Sequence, residues 1–269
     1  MPRDRIDIGL DRPAIARIFD YLLGGAHHFA IDRAAAGTAL AIDPTLAEAT
    51  WAHRRFVLRA IRHVVAAGTR QILDLGCGHL GPGAVHTAAQ RRDPSVRVLY
   101  VDRDPVVVEH ACLVTVDAPD VGVLLADLRD IDPVLGAARQ HLNFDEPVAV
   151  FLTAVLHQVD GDATGITQGW KRHLAGGSHL VVTHPVMMPP DSDRRIAALR
   201  QLHSAAGVPF RPRSQTEVAD LMEGFALVGP GITAVDRWRS DPPPAGNRGA
   251  SCPQIDLAAI GCLPRLGGR

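Results

Sequence analysis

No apolar stretch of this 269-residue chain is long enough to cross a bilayer. The longest, about Val148 to Leu156, falls far short of the ~20 residues that a spanning helix needs. Met1-Pro2-Arg3-Asp4-Arg5 leads into no apolar h-region, so neither a signal peptide nor a membrane anchor is expected. Cysteine is scarce. Cys77, Cys112, Cys252 and Cys262 form no Cys-x-x-Cys and no Cys/His spacing suited to zinc, which excludes a disulfide framework and points to free thiols in a reducing compartment, the cytoplasm. Aromatic residues make up only 4%, the net charge is -1, and no basic block is interleaved with aromatics, so nucleic acid is not an expected partner. Lysine is reduced to Lys171 alone among 28 Lys+Arg, a bias that a GC-rich genome explains and that carries no functional reading. What remains is a soluble globular composition, 46% hydrophobic, of one large or two modest domains. A chain of this size removes roughly three quarters of its unfolded surface from water, enough for a core without cross-links or a structural metal.

Apolar periodicity divides the chain into three parts. Ile15, Ile18, Phe19, Leu22 and Leu23 form one helical stripe, and Trp51, Phe56, Val57, Ile61, Val64 and Val65 form another, so helices precede any strand. Asp43-Pro44 reads as an N-cap followed by a first-turn proline, and Gly68 as the end of the same helix. From Arg70 the pattern changes to short apolar runs at Gln71–Leu75, Val96–Val101, Val121–Ala126, Pro147–Thr153 and His179–Thr183. Helical stretches separate them near Ala84–Arg92, Pro105–Val116, Asp132–His141 and Gly161–Leu174. Runs apolar on both faces suit a parallel sheet covered on two sides, and the repeating βα unit predicts a doubly wound α/β fold. Ser214-Gln215-Thr216-Glu217 is a capping box opening a short helix to Met222. Strands are expected at Ile232–Trp238 and near Ile255–Cys262, separated by a Pro/Gly-rich loop at Ser240–Pro253, and their pairing adds one antiparallel strand. The division expected is a helical extension or lid over residues 1–68 and a ligand-binding domain over 69–269.

The richest local signal is Ile72-Leu73-Asp74-Leu75-Gly76-Cys77-Gly78-His79-Leu80-Gly81, a strand ending in a glycine turn that lets a ligand lie on bare backbone. Gly76, Gly78 and Gly81 spell G-x-G-x-x-G, a weak motif alone, since a tight βα turn without a ligand also satisfies it. Asp102 and Asp127 follow the second and third strands, so acids after three successive strands face one crevice, as a nucleoside pocket requires. A dinucleotide brings a pyrophosphate that carboxylates repel. S-adenosylmethionine brings a sulfonium and an ammonium that Asp74 favours, so Asp74 argues for that cofactor over NAD.

Arg17-Ile18-Phe19-Asp20-Tyr21-Leu22-Leu23-Gly24-Gly25 followed by Phe29-Ala30-Ile31-Asp32-Arg33 resembles the N-terminal signature of a family of S-adenosylmethionine-dependent methyltransferases, abundant in actinobacteria and long catalogued as a domain of unknown function. The resemblance extends through the glycine motif with His86 beyond it, Tyr100-Val101-Asp102-Arg103-Asp104-Pro105, Ala126-Asp127-Leu128-Arg129-Asp130, Ala154-Val155-Leu156-His157 and Arg237-Trp238-Arg239. It implies a class I methyltransferase (Rossmann-like) sheet, mostly parallel with one antiparallel strand, plus the N-terminal helices. By the same analogy Gly76 and Gly78 carry the methionine part, Asp102 the ribose and Arg103 the flank of the adenine. Asp127 with the Leu128 backbone would read the adenine edge, Thr153 would face the methyl donor, and helices around Tyr21 and Phe29 would roof the pocket. The chain departs from the family pattern at Ala26-His27-His28 and at Cys262-Leu263, where family members often carry polar or basic residues.

Methyl transfer is an in-line displacement that needs positioning and water exclusion, with a general base only where the acceptor loses a proton. His157, just beyond the fourth strand, is the first candidate for that base and His28 the second. The alternative for His157 is a hydrogen-bonded residue capping the sheet edge. His53, His63 and His110 lie in helical patterns and read as surface positions. Trp51 and Phe56 read as core before pocket lining, and Met187-Met188-Pro189-Pro190 as a connecting loop. No metal site is expected, adjacent His27 and His28 being poorly disposed to share an ion. The expected partner is a small-molecule acceptor, with specialised metabolism as its setting. Association as a homodimer stays open, as do two other functions, a non-catalytic S-adenosylmethionine sensor or scaffold and an NAD-dependent oxidoreductase.

Overall fold

The computed structural model describes residues 9–81, 83–187, 194–240 and 256–265. Helices α1 (Ile15–Leu22), α2 (Ala30–Ile42) and α3 (Leu46–Ala66) precede the first strand, as the apolar stripes require. The alternating part follows as β1 (Gln71–Leu75), α4 (Val85–Gln90), β2 (Arg97–Asp102), α5 (Pro105–Val114), β3 (Val121–Leu125), α6 (Ile131–Ala138), β4 (Ala149–Thr153), α7 (Ala163–Lys171) and β5 (His179–Pro185). Then come α8 (Arg194–Ala206), α9 (Gln215–Asp220), β6 (Ala226–Leu227), β7 (Thr233–Ala234) and β8 (Asp256–Cys262). The sheet order is β3-β2-β1-β4-β5-β8-β6, with β7 also on β8. β1 to β5 are parallel, and β8 alone runs against them. The sheet is doubly wound and mostly parallel with one reversed strand, as the sequence led us to expect.

Local chemistry sets several boundaries. The Asp43 carboxylate caps a turn rather than the helix itself: it accepts from the Thr45 amide (2.9 Å) and hydroxyl (2.6 Å) and pairs with Arg195, so α3 starts at Leu46, later than Asp43-Pro44 suggested. The Ser214 and Glu217 capping box forms at the start of α9 as the sequence requires. Ile232–Trp238, expected as one strand, is a strand only at Thr233–Ala234, because the chain then turns so that the Val235 and Trp238 carbonyls accept from the buried Arg59 guanidinium of α3. The short β6 escaped the sequence reading. Of the Ser240–Pro253 loop only Ser240 lies within the described residues, and of Met187–Pro190 only the exposed Met187.

Strand alternation sorts the two faces. Leu73, Leu75, Leu99, Val101, Val150 and Leu152 pack under α6 and α7. Ile72, Val98, Tyr100, Phe151 and Val181 pack under α3 and α4, together with Phe56, which is core as expected. Trp51 is 38% exposed and belongs to neither the core nor the cavity described below. A third cluster joins α1, α2 and the start of α3 to α8 through Ile18, Ala36, Leu46 and Leu202, so a helix from late in the chain completes the N-terminal helical layer. Cys77, Cys112 and Cys262 are free thiols. Among the described residues no helix is long and apolar enough to cross a membrane.

Candidate active site

A cavity of about 540 Å³ opens at the carboxyl ends of β1 to β4, bounded by the sheet edge below and by α1, α3 and the end of α8 above. Its floor is the turn after β1. Gly76 sits at φ +75°, and a Cβ there would meet the Val155 Cγ2 at 2.5 Å; Gly78 sits at φ +62°. Both glycines are therefore required by the backbone. Gly81 has neither a positive φ nor a neighbour within 4 Å, so the third glycine of the motif is not needed for packing. Helix α4 begins at Val85, close to the Ala84 start expected, so the turn does not deliver a helix N-terminus directly to Gly76.

Asp74, Asp102 and Asp127, the three acids singled out in the sequence, all line this cavity, as do Arg103, Leu128 and Thr153. Their environments differ. Asp74 shares the sheet face of Ile72 and lies beneath α3; burial raises its pKa to about 7, against an opposing pull from Arg54 and a further push from Asp102. One Asp102 oxygen accepts from the Gly78 amide (3.0 Å) and the other from the Asp104 amide (3.0 Å), so this carboxylate also fixes the glycine turn. Burial raises its pKa too, the backbone bonds pulling the other way. Asp127 is gripped by Arg129 through bonds of 2.9 and 2.6 Å, which together with the Arg129 amide hold its pKa down. It reaches the cavity as half of an ion pair.

The N-terminal signature proves to be a clasp. Asp32 accepts from Arg17 Nε (2.8 Å), the Ala14 amide (2.9 Å) and the Phe29 amide (2.8 Å), while Arg17 also donates to the Arg12 carbonyl and lies 5.3 Å from the Phe29 ring. Asp20 accepts from the His27 amide (2.7 Å) and lies 3.3 Å from His28 Nδ1, and a Cβ on Gly25 would strike its carboxylate. These residues fold the α1–α2 connection against the cavity rim. Tyr21 stands edge-on to His28, and neither ring is on the cavity wall.

His157 is 4% exposed and is likewise not on the wall of the main cavity. It lies among His184, His203 and Phe210 and borders a small apolar recess shared with Leu46, Ala49 and Leu199. Burial and its histidine neighbours push its pKa well below 6.5. Of the three histidines read as surface positions, His110 is buried and His53 and His63 are half-buried. His63 packs against Trp238 and His179, and His110 is buried beside His27 and His79. His53 lines both the cavity and the recess, its Nε2 2.9 Å from the Thr183 hydroxyl, which accepts from the Ala154 amide at 2.8 Å. Burial and Arg54 push His53 down to about 3, so it is neutral. The cause is shared: these helices have an apolar stripe, but other helices, strands and loops cover their polar sides as well. Sequence reading also missed Arg54, which lines the cavity one residue on from His53. His86 is structural, its amide and ring both meeting the Tyr100 hydroxyl. Among the described residues no group of three His, Cys, Asp or Glu is arranged to hold a metal.

A bare-backbone turn flanked by buried carboxylates suits a nucleoside carrying positive charge better than a pyrophosphate. Comparison with known proteins agrees. The family model described as S-adenosyl methyltransferase matches residues 1–262. The fold superposes with a TM-score of 0.88 on a candidate methyltransferase of Thermobifida fusca YX, at 30% identity over 98% of this chain and 100% of that one. It superposes with a TM-score of 0.87 on a DUF574 family protein of Streptomyces avermitilis MA-4680, at 29% identity over 96% and 100%. Human N-acetylserotonin methyltransferase, solved in complex with SAM, shares the fold at a TM-score of 0.52 and 16% identity, over 94% of this chain and 63% of that one. No curated protein matches the sequence.

Proposed function

This chain belongs to the S-adenosyl methyltransferase family, and we propose that it transfers the methyl group of S-adenosylmethionine to a small-molecule acceptor in specialised metabolism. The observation that carries this reading is the convergence of Asp74 and Asp102 on a glycine turn whose Gly76 and Gly78 expose backbone to one cavity. In it Gly76 and Gly78 support the methionine part, Asp102 binds the ribose, Arg103 flanks the adenine, and Asp127 with Leu128 meets the adenine edge. The Arg129 grip on Asp127 leaves one carboxylate oxygen, bonded only once, to accept from an amino group. When bound, the cofactor supplies an electrophilic methyl on a sulfonium.

The chain's own part is to orient and to keep water out. Thr153, at the end of β4, and His53, from α3, bring polar groups to the stretch of wall where the acceptor would approach, and Phe19, Thr50 and Ala154 join that stretch to the apolar recess. A small apolar group fits the recess better than a charged one. To His53 falls the role proposed for His157 and His28, a reading supported by the fact that of the three only His53 lines the main cavity. Its burial keeps it neutral, as suits a group that binds an acceptor oxygen. The helices of residues 1–68 act as a roof on the methyltransferase domain of 69–269, and the free thiols fit a cytoplasmic setting. Calorimetry with S-adenosylmethionine, S-adenosylhomocysteine and NAD, followed by tritium transfer from labelled S-adenosylmethionine to a panel of small hydroxylated and amino acceptors, tests the reading. Micromolar binding of the first two and label in one acceptor are expected. NAD binding in their place would overturn it, and tight binding with no transfer to any acceptor would make the protein a sensor.

A further inference from the structure

The residue after β4 is held in a conformation that residues with a Cβ rarely adopt. Ala154 sits at φ +53°, in the left-handed region. Side chains hold both of its polar backbone groups there: its amide donates to the Thr183 hydroxyl (2.8 Å) and its carbonyl accepts from Gln158 Nε2 (3.1 Å). Thr153 and Thr183 are register partners, so the ladder between β4 and β5 stops at this pair and the next amide turns to a side chain. Strain of this kind persists only where the surroundings over-determine it, and it gathers at functional sites. Ala154 stands where the main cavity meets the apolar recess, and His53 lines the same two walls.

The Thr183 hydroxyl has one proton to give and lone pairs to receive. It is 1% exposed, and among the described residues its partners are the Ala154 amide, which can only donate, and His53 Nε2 at 2.9 Å. A hydroxyl that receives from the amide on one side gives to Nε2 on the other. The reverse sense, with Nε2–H donating to the oxygen, leaves a buried hydroxyl proton without an acceptor and is the less stable state. His53 is neutral and carries one N–H, so a ring that accepts at Nε2 carries its proton at Nδ1. Among the described residues no hydrogen bond engages Nδ1.

We propose that Thr183 is a positioning residue that locks His53 as a hydrogen-bond donor, its Nδ1–H offered to a methyl acceptor that presents an oxygen lone pair: a carbonyl, an ether or an already ionised oxygen. The inference rests on the methyltransferase reading and narrows the part of His53 in it from base to donor. A ring with its proton on Nδ1 takes no second proton there, and Nε2, which holds the lone pair, is covered by the Thr183 hydroxyl. A neutral alcohol that must lose its proton on methylation therefore finds no base in His53. The class this wall favours already holds a lone pair at the atom to be methylated and carries an oxygen within reach of Nδ1–H. Recognition is thereby shared by three elements of the fold: β5 supplies the hydroxyl, the turn after β4 fixes its direction, and α3 brings the ring.

The test reads the tautomer directly. Long-range proton–nitrogen correlation spectra of the ligand-free full chain, labelled in its histidines, are recorded at neutral pH for the wild type, Thr183→Val and Thr183→Ser, with His53→Gln to assign the His53 signals among the 13 histidines. In the wild type the proton should sit on Nδ1, and Thr183→Val should lower the ratio of Nδ1–H to Nε2–H roughly 10- to 100-fold, the range for removing a buried hydroxyl that has no other acceptor. Thr183→Ser keeps the hydroxyl and should keep the wild-type pattern. Calorimetry with S-adenosylhomocysteine runs alongside, and its affinity should stay within about twofold in both Thr183 variants, because the change lies on the acceptor side. A wild-type ring protonated on Nε2 would overturn the proposal even where Thr183→Val does not fold, as would an unchanged ratio in a folded Thr183→Val. Loss of S-adenosylhomocysteine affinity in Thr183→Val would mean a collapsed cavity and a merely structural Thr183, which also overturns it. Failure of the wild type to bind S-adenosylhomocysteine brings down the methyltransferase reading and the acceptor's part with it, an outcome kept separate because the tautomer is read with no ligand present.

Discussion

Cofactor binding should be coupled to the release of a proton from Asp74. In the free protein burial holds this carboxyl near pKa 7, Asp102 adding repulsion and Arg54 opposing, with Tyr100 and Cys77 the other titratable groups beside it. A ligand ammonium interacts with the ionised form only, so binding selects that form. The sign follows: affinity rises with pH until the free-state pKa is passed, then levels off. With that pKa, about one molecule in eleven is ionised at pH 6 and about ten in eleven at pH 8, so affinity should gain about tenfold, or about 1.4 kcal/mol, between them. Titrating S-adenosylhomocysteine in two buffers of different ionisation enthalpy measures the proton directly, with about 0.9 released per ligand at pH 6 and about 0.1 at pH 8. Asp74→Asn should abolish both the release and the slope. The same acid works against the empty fold. Its folded pKa lies above the unfolded value of 3.8, so as pH rises from about 4 to 7 the unfolded chain ionises first and folding stability drops. Asp74→Asn should therefore raise the melting temperature of the ligand-free protein at pH 8 while weakening the ligand. A flat affinity profile and no proton exchange at pH 6 would refute the reasoning.

Asp102→Ala should weaken S-adenosylmethionine by ~1–3 kcal/mol through loss of charge-assisted bonds to the ribose, and unchanged affinity in calorimetry would remove Asp102 from the site. Because Asp102 also holds the Gly78 and Asp104 amides, Asp102→Asn should recover part of the loss. Gly76→Ala forces a Cβ onto Val155 in a left-handed backbone, so a destabilisation of at least about 1–3 kcal/mol in denaturant melts is expected, with loss of binding. His110 has two buried ring nitrogens without partners among the described residues, and His110→Leu should leave stability unchanged or raise it by roughly 1 kcal/mol. A large loss there would mean that the ring has a polar partner in solution.

What sequence could show here depended on whether a signal was local. β1 to β5 announce themselves because each is a short run apolar on both faces, and Asp74, Asp102 and Asp127 are visible because each ends or follows such a run. Gly76 and Gly78 are visible for the same reason. Arg54 and His53 are not. On a helix whose apolar stripe is explained by Phe56, Val57 and Ile61, polar neighbours read as solvent-facing, and only the placement of α3 over the carboxyl edge of the sheet turns them inward. His157 misleads for the converse reason: its position just past β4 predicts a cavity residue, but the chain tucks into a short 3-10 turn, Leu156–Gln158, that buries the ring behind the wall. The resemblance located the N-terminal signature but not its work, which is to tie α1 and α2 together through Asp32 and Asp20.

The pairing of α8 with α1 and α2 also sets a timetable for biosynthesis. The first three helices leave the ribosome before any strand, with their apolar undersides exposed. The sheet can assemble as far as β5 while they wait, but the layer that shelters the cleft is finished only when Leu202 and its neighbours arrive, some 160 residues after α2. A nascent chain halted after β5 should thus hold a formed sheet under an open, adhesive cap, and pulse proteolysis of such stalled chains should cut first in α1 and α2.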